Sequence, residues 1–114
     1  MENETVGIDV GVLVDKLNNF QSSDEIAEFL RGEGIRATMF DSKSCAISKW
    51  VSREAGVPVS TGTALLHTWD PNETAYRKIM GKEFPLSSAA KAFVTNFDGG
   101  MYQDLVDPSQ PYLA

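Results

Sequence analysis

One cysteine, Cys45, and one histidine, His67, stand in a chain of 114 residues. A lone thiol closes no internal disulfide, so nothing staples the chain covalently. That scarcity suits a reducing compartment, and a cytoplasmic location is the expectation. One Cys and one His also lack the paired spacing of a zinc site, and no metal is expected. Long apolar runs are missing too, and none approaches the ~20 residues that cross a bilayer. The opening residues, MENETVGIDV, hold no basic region followed by an apolar stretch, which predicts no signal peptide and no membrane association. Basic charge is short: 10 Lys and Arg face 16 Asp and Glu, a net charge of −6. Sequence-independent nucleic-acid binding draws its affinity from neutralised phosphates, so this balance argues against it. The glycine pairs supply no phosphate cradle. "GEG" lacks the Lys-Ser/Thr of a P-loop and falls where a helix ends. No cofactor is expected.

What is present is enough for one core. The residues are 42% hydrophobic and 23% charged, ordinary values for a single globular domain of this length. The charge is polarised: residues 1–33 carry eight acids against Lys16 and Arg31, residues 34–97 are net basic by three, and residues 98–114 hold three aspartates and no base.

Val10, Leu13, Val14 and Leu17 recur at helical spacing, which predicts a first helix ending near Asn18 and Asn19. Ser22 with Glu25 three residues on has the form of a capping box, and Ile26, Phe29 and Leu30 make the stripe of a second helix closed by Gly32 and Gly34. "IRATMF" reads as extended. A third helix carries Ile47, Trp50, Val51 and Ala55 on one face, with Ser42 or Ser44 as its expected cap and Gly56 as its stop. Residues 57–84 change to the two-residue period of strands, broken by turn residues. In "TALLHTW", Leu65, His67 and Trp69 share one face and Ala64, Leu66 and Thr68 the other; "TAYRKIM" reads as a further strand. Ser87 caps a last helix with Ala90, Phe93, Val94 and Phe97 inward, closed by Gly99-Gly100, after which Met101, Tyr102 and Leu105 fold back on the core. The expected fold is α+β, about four helices packed on a small two- or three-stranded antiparallel sheet. Residues 1–8 read as a flexible arm, 9–106 as the single domain and 107–114 as an extended tail.

"SDEIAEFLRGEGIRATMFDSKSCAISKWV" and "FPLSSAAKAFVTNFDGGMYQDLV" together resemble a pattern in short uncharacterised proteins of actinobacteria and their phages. In that pattern Gly-Ile-Arg/Lys-Gly leads to Cys-Pro-Ile-Ala-Arg-Tyr-Leu, and a closing helix runs into Phe-Asp-x-Gly-x-Tyr. Gly34-Ile35-Arg36, Cys45, Ile47, Phe97-Asp98, Gly100 and Tyr102 coincide with it. Ala37 stands for Gly, Ala46 for Pro, and Ser48-Lys49-Trp50-Val51 for Ala-Arg-Tyr-Leu. The likeness covers about half the chain and leaves out the first twenty residues. It implies a fold unit and an actinobacterial or phage source, and it brings no catalytic residues.

Cys45 falls near a helix start, where unpaired N–H groups favour a thiolate, and His67 is the one available imidazole base. They are the catalytic candidates. No nucleophile signature surrounds Cys45, and a buried cysteine serves as a small hydrophobe in most settings. Aromatic residues and arginine dominate interface energies, which makes Trp69, Tyr76, Arg77 and Tyr102 the binding candidates. The stripe Val10–Leu13–Val14–Leu17 offers a homodimer face. The reading that follows is a small protein-binding or accessory protein rather than an enzyme, acting on a host protein if a phage encodes it. Its alternatives are a cysteine-dependent enzyme or redox-sensitive switch at Cys45, and an acidic mimic of nucleic acid built from the carboxylates of residues 1–33.

Overall fold

A computed structural model describes residues 8–41, 44–68 and 83–107. Four helices pack on a three-stranded antiparallel sheet, the α+β arrangement expected. Helix α1 is Val10–Asn18, α2 is Ser23–Gly32, α3 is Ala46–Ala55 and α4 is Ser88–Asp98. Strands β1 (Val59–Thr61), β2 (Leu65–Thr68) and β3 (Glu83–Pro85) lie in chain order. The register sets Ser60 opposite His67 and Leu66 opposite both Thr61 and Phe84. The strand period holds: Leu66 is fully buried while Leu65 and His67 lie toward solvent. No helix among the described residues is long and apolar enough to cross a membrane.

Local chemistry sets most of the boundaries. Ser22 Oγ accepts the Glu25 N–H at 3.2 Å, and the Glu25 carboxylate accepts the N–H of Gln21 at 2.7 Å, so the capping box closes one residue further back than usual. Ser87 Oγ accepts the Ala90 N–H at 3.1 Å. Two helices end in the same paired-bond device. Ile35 N–H reaches the Leu30 carbonyl and Gly34 N–H that of Arg31; Met101 N–H reaches Asn96 and Gly100 N–H reaches Phe97. This closure requires a left-handed residue, and Gly34 (φ 75°) and Gly100 (φ 87°) supply it.

Helix α3 departs from expectation. Cys45, not Ser44, is the N-cap, and its side chain makes no capping bond; Ser42, the other expected cap, lies outside the described residues. Ser44 instead closes the loop before it, donating its N–H to the Asp41 carbonyl and accepting from Thr38. The extended segment after α2 forms a single parallel bridge, Ala37 to Val106, with bonds of 2.8 Å on either side. Asp107 therefore belongs to the folded unit, as does Ile8, whose N–H donates to the Glu54 carbonyl at 2.9 Å. Residues 1–7 and 108–114, the rest of the expected arm and tail, lie outside the described residues, as does "TAYRKIM".

The core joins all layers through Leu17, Ile26, Leu30, Ile47, Val51, Leu66, Phe93, Phe97 and Leu105. Phe93 stacks between Phe97 and Tyr102, with ring centroids 5.9 and 5.3 Å away. Trp50 is buried edge-on to Phe29 at 5.0 Å, and its indole N–H has no hydrogen-bond partner among the described residues. Two expectations fail here. Val10, Leu13, Val14 and Leu17 are all buried within the chain's own core, so they offer no homodimer face without unfolding. Met101 does not fold back on the core; the turn after α4 points it outward, 62% exposed.

Candidate functional site

The binding candidates from the sequence do not assemble a surface. Trp69, Tyr76 and Arg77 lie outside the described residues. Tyr102 is buried, and its hydroxyl is committed internally: it donates to Asp24 Oδ1 at 2.8 Å and lies 2.8 Å from Ser23 Oγ, which also accepts from Asn96. Tyr102 is thus a latch between α2 and the end of the fold, because its ring fills the space beside Phe93 and its hydroxyl must then find partners. Burial, with the Asp24 bond adding, raises this phenol above its ordinary value of about 10, against the opposing pull of Ser23 and Asn96. A raised folded-state value means the contribution to stability is complete below pH ~10 and is lost as pH climbs through the folded value. The urea midpoint of the wild type should therefore fall more steeply above pH ~10 than that of Tyr102→Phe; parallel curves for the two proteins would contradict the latch.

The surface does carry a cleft that the sequence did not announce. It has a volume of about 270 Å³ and lies between the loop before α3, the β1–β2 turn and the C-terminal half of α4. Phe40 and Asp41 come from the loop, Cys45 from the head of α3, Thr61 from the end of β1, Gly62 and Thr63 from the turn, and Val94 and Asp98 from α4. Val94 and Asp98 are four residues apart on one helix face, which places both at the same wall.

Phe40 is the unusual member. It is 71% exposed, and its backbone sits at φ 60°, the left-handed region that bulky residues avoid at a cost of about 1–2 kcal/mol. Its N–H donates to Asp98 Oδ1 at 2.8 Å, which holds the loop in that conformation. At the floor, the Cys45 thiol donates to Ser48 Oγ at 3.6 Å, and Ser48 lies 2.7 Å from Thr61 Oγ1. Ser48 and Thr61 are buried polar residues, and each hydroxyl meets part of the other's hydrogen-bonding need.

The cleft brings Cys45 beside Thr61 and Asp98 but does not include His67. That histidine sits on β2 opposite Ser60 and Glu83, on the outward face with Leu65. Nucleophilic chemistry at Cys45 needs a neighbouring base, and the described walls supply carboxylates rather than an imidazole. No group of three His, Cys, Asp or Glu among the described residues is placed to hold a metal ion.

A second, shallower recess of about 420 Å³ runs along the outer side of α1, by Val12, Asp15, Lys16, Asn19 and Phe20. Its cation is already engaged, since Lys16 Nζ stands 5.0 Å from the centroid of the Phe29 ring. Two arginines tie up four further carboxylates. Arg31 bridges Glu28 and Asp104, and Arg53 bridges Glu33 and Glu54. The Arg31 bond holds the Asp104 carboxyl below the usual carboxylate range.

Compared with protein-family models, with curated proteins and with solved structures, the chain matches none.

Proposed function

We propose that this is a small binding or accessory protein that docks a partner polypeptide at the cleft beside Phe40. The observation that carries the reading is Phe40 itself: a large aromatic held mostly in solvent, on a backbone conformation unfavourable to it, by a bond from its own N–H to Asp98. Strain of this kind persists only where the surroundings enforce it, and it concentrates at ligand clamps and binding loops. The resemblance to proteins of actinobacteria and their phages makes an actinobacterial host protein the first partner to seek.

The alternatives have less behind them. A cysteine enzyme would need a base, and the thiol's described bond runs to Ser48 instead. An acidic mimic would need the carboxylates of residues 1–33 to form one unneutralised stripe, yet Glu28 and Glu33 are tied to arginines, Asp24 accepts from Tyr102, and Asp9 and Glu25 accept backbone N–H groups.

The test separates binding from folding. Glycine is at ease at φ 60°, so Phe40→Gly relieves ~1 kcal/mol of backbone strain and gives back a similar amount in unfolded-chain entropy. The variant should match the wild type in urea to within ~0.5 kcal/mol and fail to retain the protein that immobilised wild type retains from an actinobacterial lysate. Equal retention by the two proteins would remove Phe40, and with it the docking reading.

A further inference from the structure

We infer that the cleft accepts a lysine or arginine side chain projecting from the partner. This rests on the docking reading above and names the chemistry of its anchor. At about 270 Å³ the cleft is smaller than the ~300–1,000 Å³ typical of small-molecule sites, a size that suits a single long side chain. Its apolar surface comes from Val94, Cys45 and the Phe40 ring, which match the methylene stem of a basic residue. Its charged groups are Asp41 and Asp98, and no basic residue lines it among those described.

Three independent sources of negative potential meet at this cleft. The first is the pair of carboxylates. The second is the C-terminal end of α4, where Asp98 is the last helical residue and no basic side chain occupies the final turn. The third is the face of an exposed aromatic ring, which attracts cations within about 6 Å of its centroid. A carboxylate offers about four acceptor positions, and the bond from Phe40 uses one at Asp98. The net charge of −6 extends the same preference to longer range. An acidic partner would meet repulsion from each source, and a purely apolar side chain would desolvate carboxylate oxygens without supplying them a donor.

The experiment is an NMR titration of the isotope-labelled full chain with capped tripeptides Gly-X-Gly, where X is arginine, lysine, norleucine or glutamate. Arginine and lysine probes should shift the amides of Phe40, Thr61 and Asp98, and 0.5 M salt should weaken them. Asp98→Asn is the key variant, because the asparagine oxygen still accepts the Phe40 N–H while the charge is gone. It should weaken the arginine probe about fivefold and leave any response to the norleucine probe unchanged. Norleucine binding as well as arginine would overturn the inference and leave docking at Phe40 standing. So would a silent cleft with every probe at tens of millimolar while Phe40→Gly still loses its partner. Free methylguanidinium matching the arginine peptide would overturn it in another way, by giving the cleft to a small cation. Failure of Phe40→Gly to lose any partner marks failure of the docking reading itself.

Discussion

Phe93→Ala should destabilise the protein by about 3–5 kcal/mol, the range for deleting a buried aromatic ring. The site favours the upper part of that range. Phe93 is 1% exposed and lies between the rings of Phe97 and Tyr102, nearly parallel to both. Neither neighbour is free to collapse into the space. Phe97 is fixed one helical turn along α4, and Tyr102 is pinned through its hydroxyl to Ser23 and Asp24. A ring-sized void therefore remains, and its walls lose dispersion contacts in addition to the lost burial. Domains of this kind have a total stability of ~5–15 kcal/mol, so the variant is expected to be partly unfolded at 37 °C. Urea denaturation followed by circular dichroism measures the change, and Phe93→Leu, which keeps most of the volume, should lose well under half as much. A cost below ~1.5 kcal/mol for the alanine variant would mean that the aromatic stack is not the centre of the core. Phe40→Gly, with its near-zero expected cost, makes the contrast: of two phenylalanines in one chain, one maintains the fold and the other serves the surface.

The difference between those two residues also marks what the sequence can disclose. Phe93 was legible because Ala90, Phe93, Val94 and Phe97 recur at helical spacing behind a serine cap, and every part of that pattern is local. Ser22, Ser87, Gly34 and Gly100 were legible for the same reason, since a cap or stop acts on residues three or four away. Phe40 gives no such sign. A left-handed conformation is foreseen at glycine, not at phenylalanine, and the bond that enforces it comes from Asp98, 58 residues later. The one available signal was an aromatic beside an aspartate in "TMFDSKS", outside any periodic segment. Tyr102 folds back on the core as the pattern after α4 implies, but its loss as a binding residue was not legible, because the partners that occupy its hydroxyl, Ser23 and Asp24, are 79 and 78 positions away and the α2–α4 packing brings them together. The α1 stripe was read correctly as apolar. What it packs against is a tertiary matter, and the chain's own core accounts for it.

Asn18→Asp should cost about 2 kcal/mol at neutral pH and recover part of that loss in acid. Asn18 looks from the sequence like a helix terminator, but its amide joins two distant parts of the fold. Its Nδ2 donates to the Pro85 carbonyl at 3.0 Å, and its Oδ1 accepts the Ser87 N–H at 2.8 Å. Ser87 is the N-cap of α4, so α1 orients the residue that starts the last helix. Aspartate keeps the acceptor for Ser87 but sets a second oxygen against the Pro85 carbonyl, turning one bond into a repulsion. It also puts a negative charge at the C-terminal end of α1, where the helix dipole opposes it. One lost bond of ~0.5–1.5 kcal/mol, with these two unfavourable contacts added, gives the expected size. The pH response follows from the same geometry. A protonated acid can donate to Pro85, so the introduced group's folded-state pKa is raised above its unfolded value near 3.9. Its stabilising form is complete below that pH and is lost as pH rises through the folded value. The gap between Asn18→Asp and wild type should accordingly narrow on going from pH 7 to pH 4, measured as urea midpoints, whereas Asn18→Ala, which loses both bonds and titrates nothing, should show a gap independent of pH. A pH-independent gap for Asn18→Asp would show that the introduced acid does not meet the Pro85 carbonyl, and a gap near zero for Asn18→Ala would show that the bridge from α1 to the start of α4 contributes little to holding the two helices together.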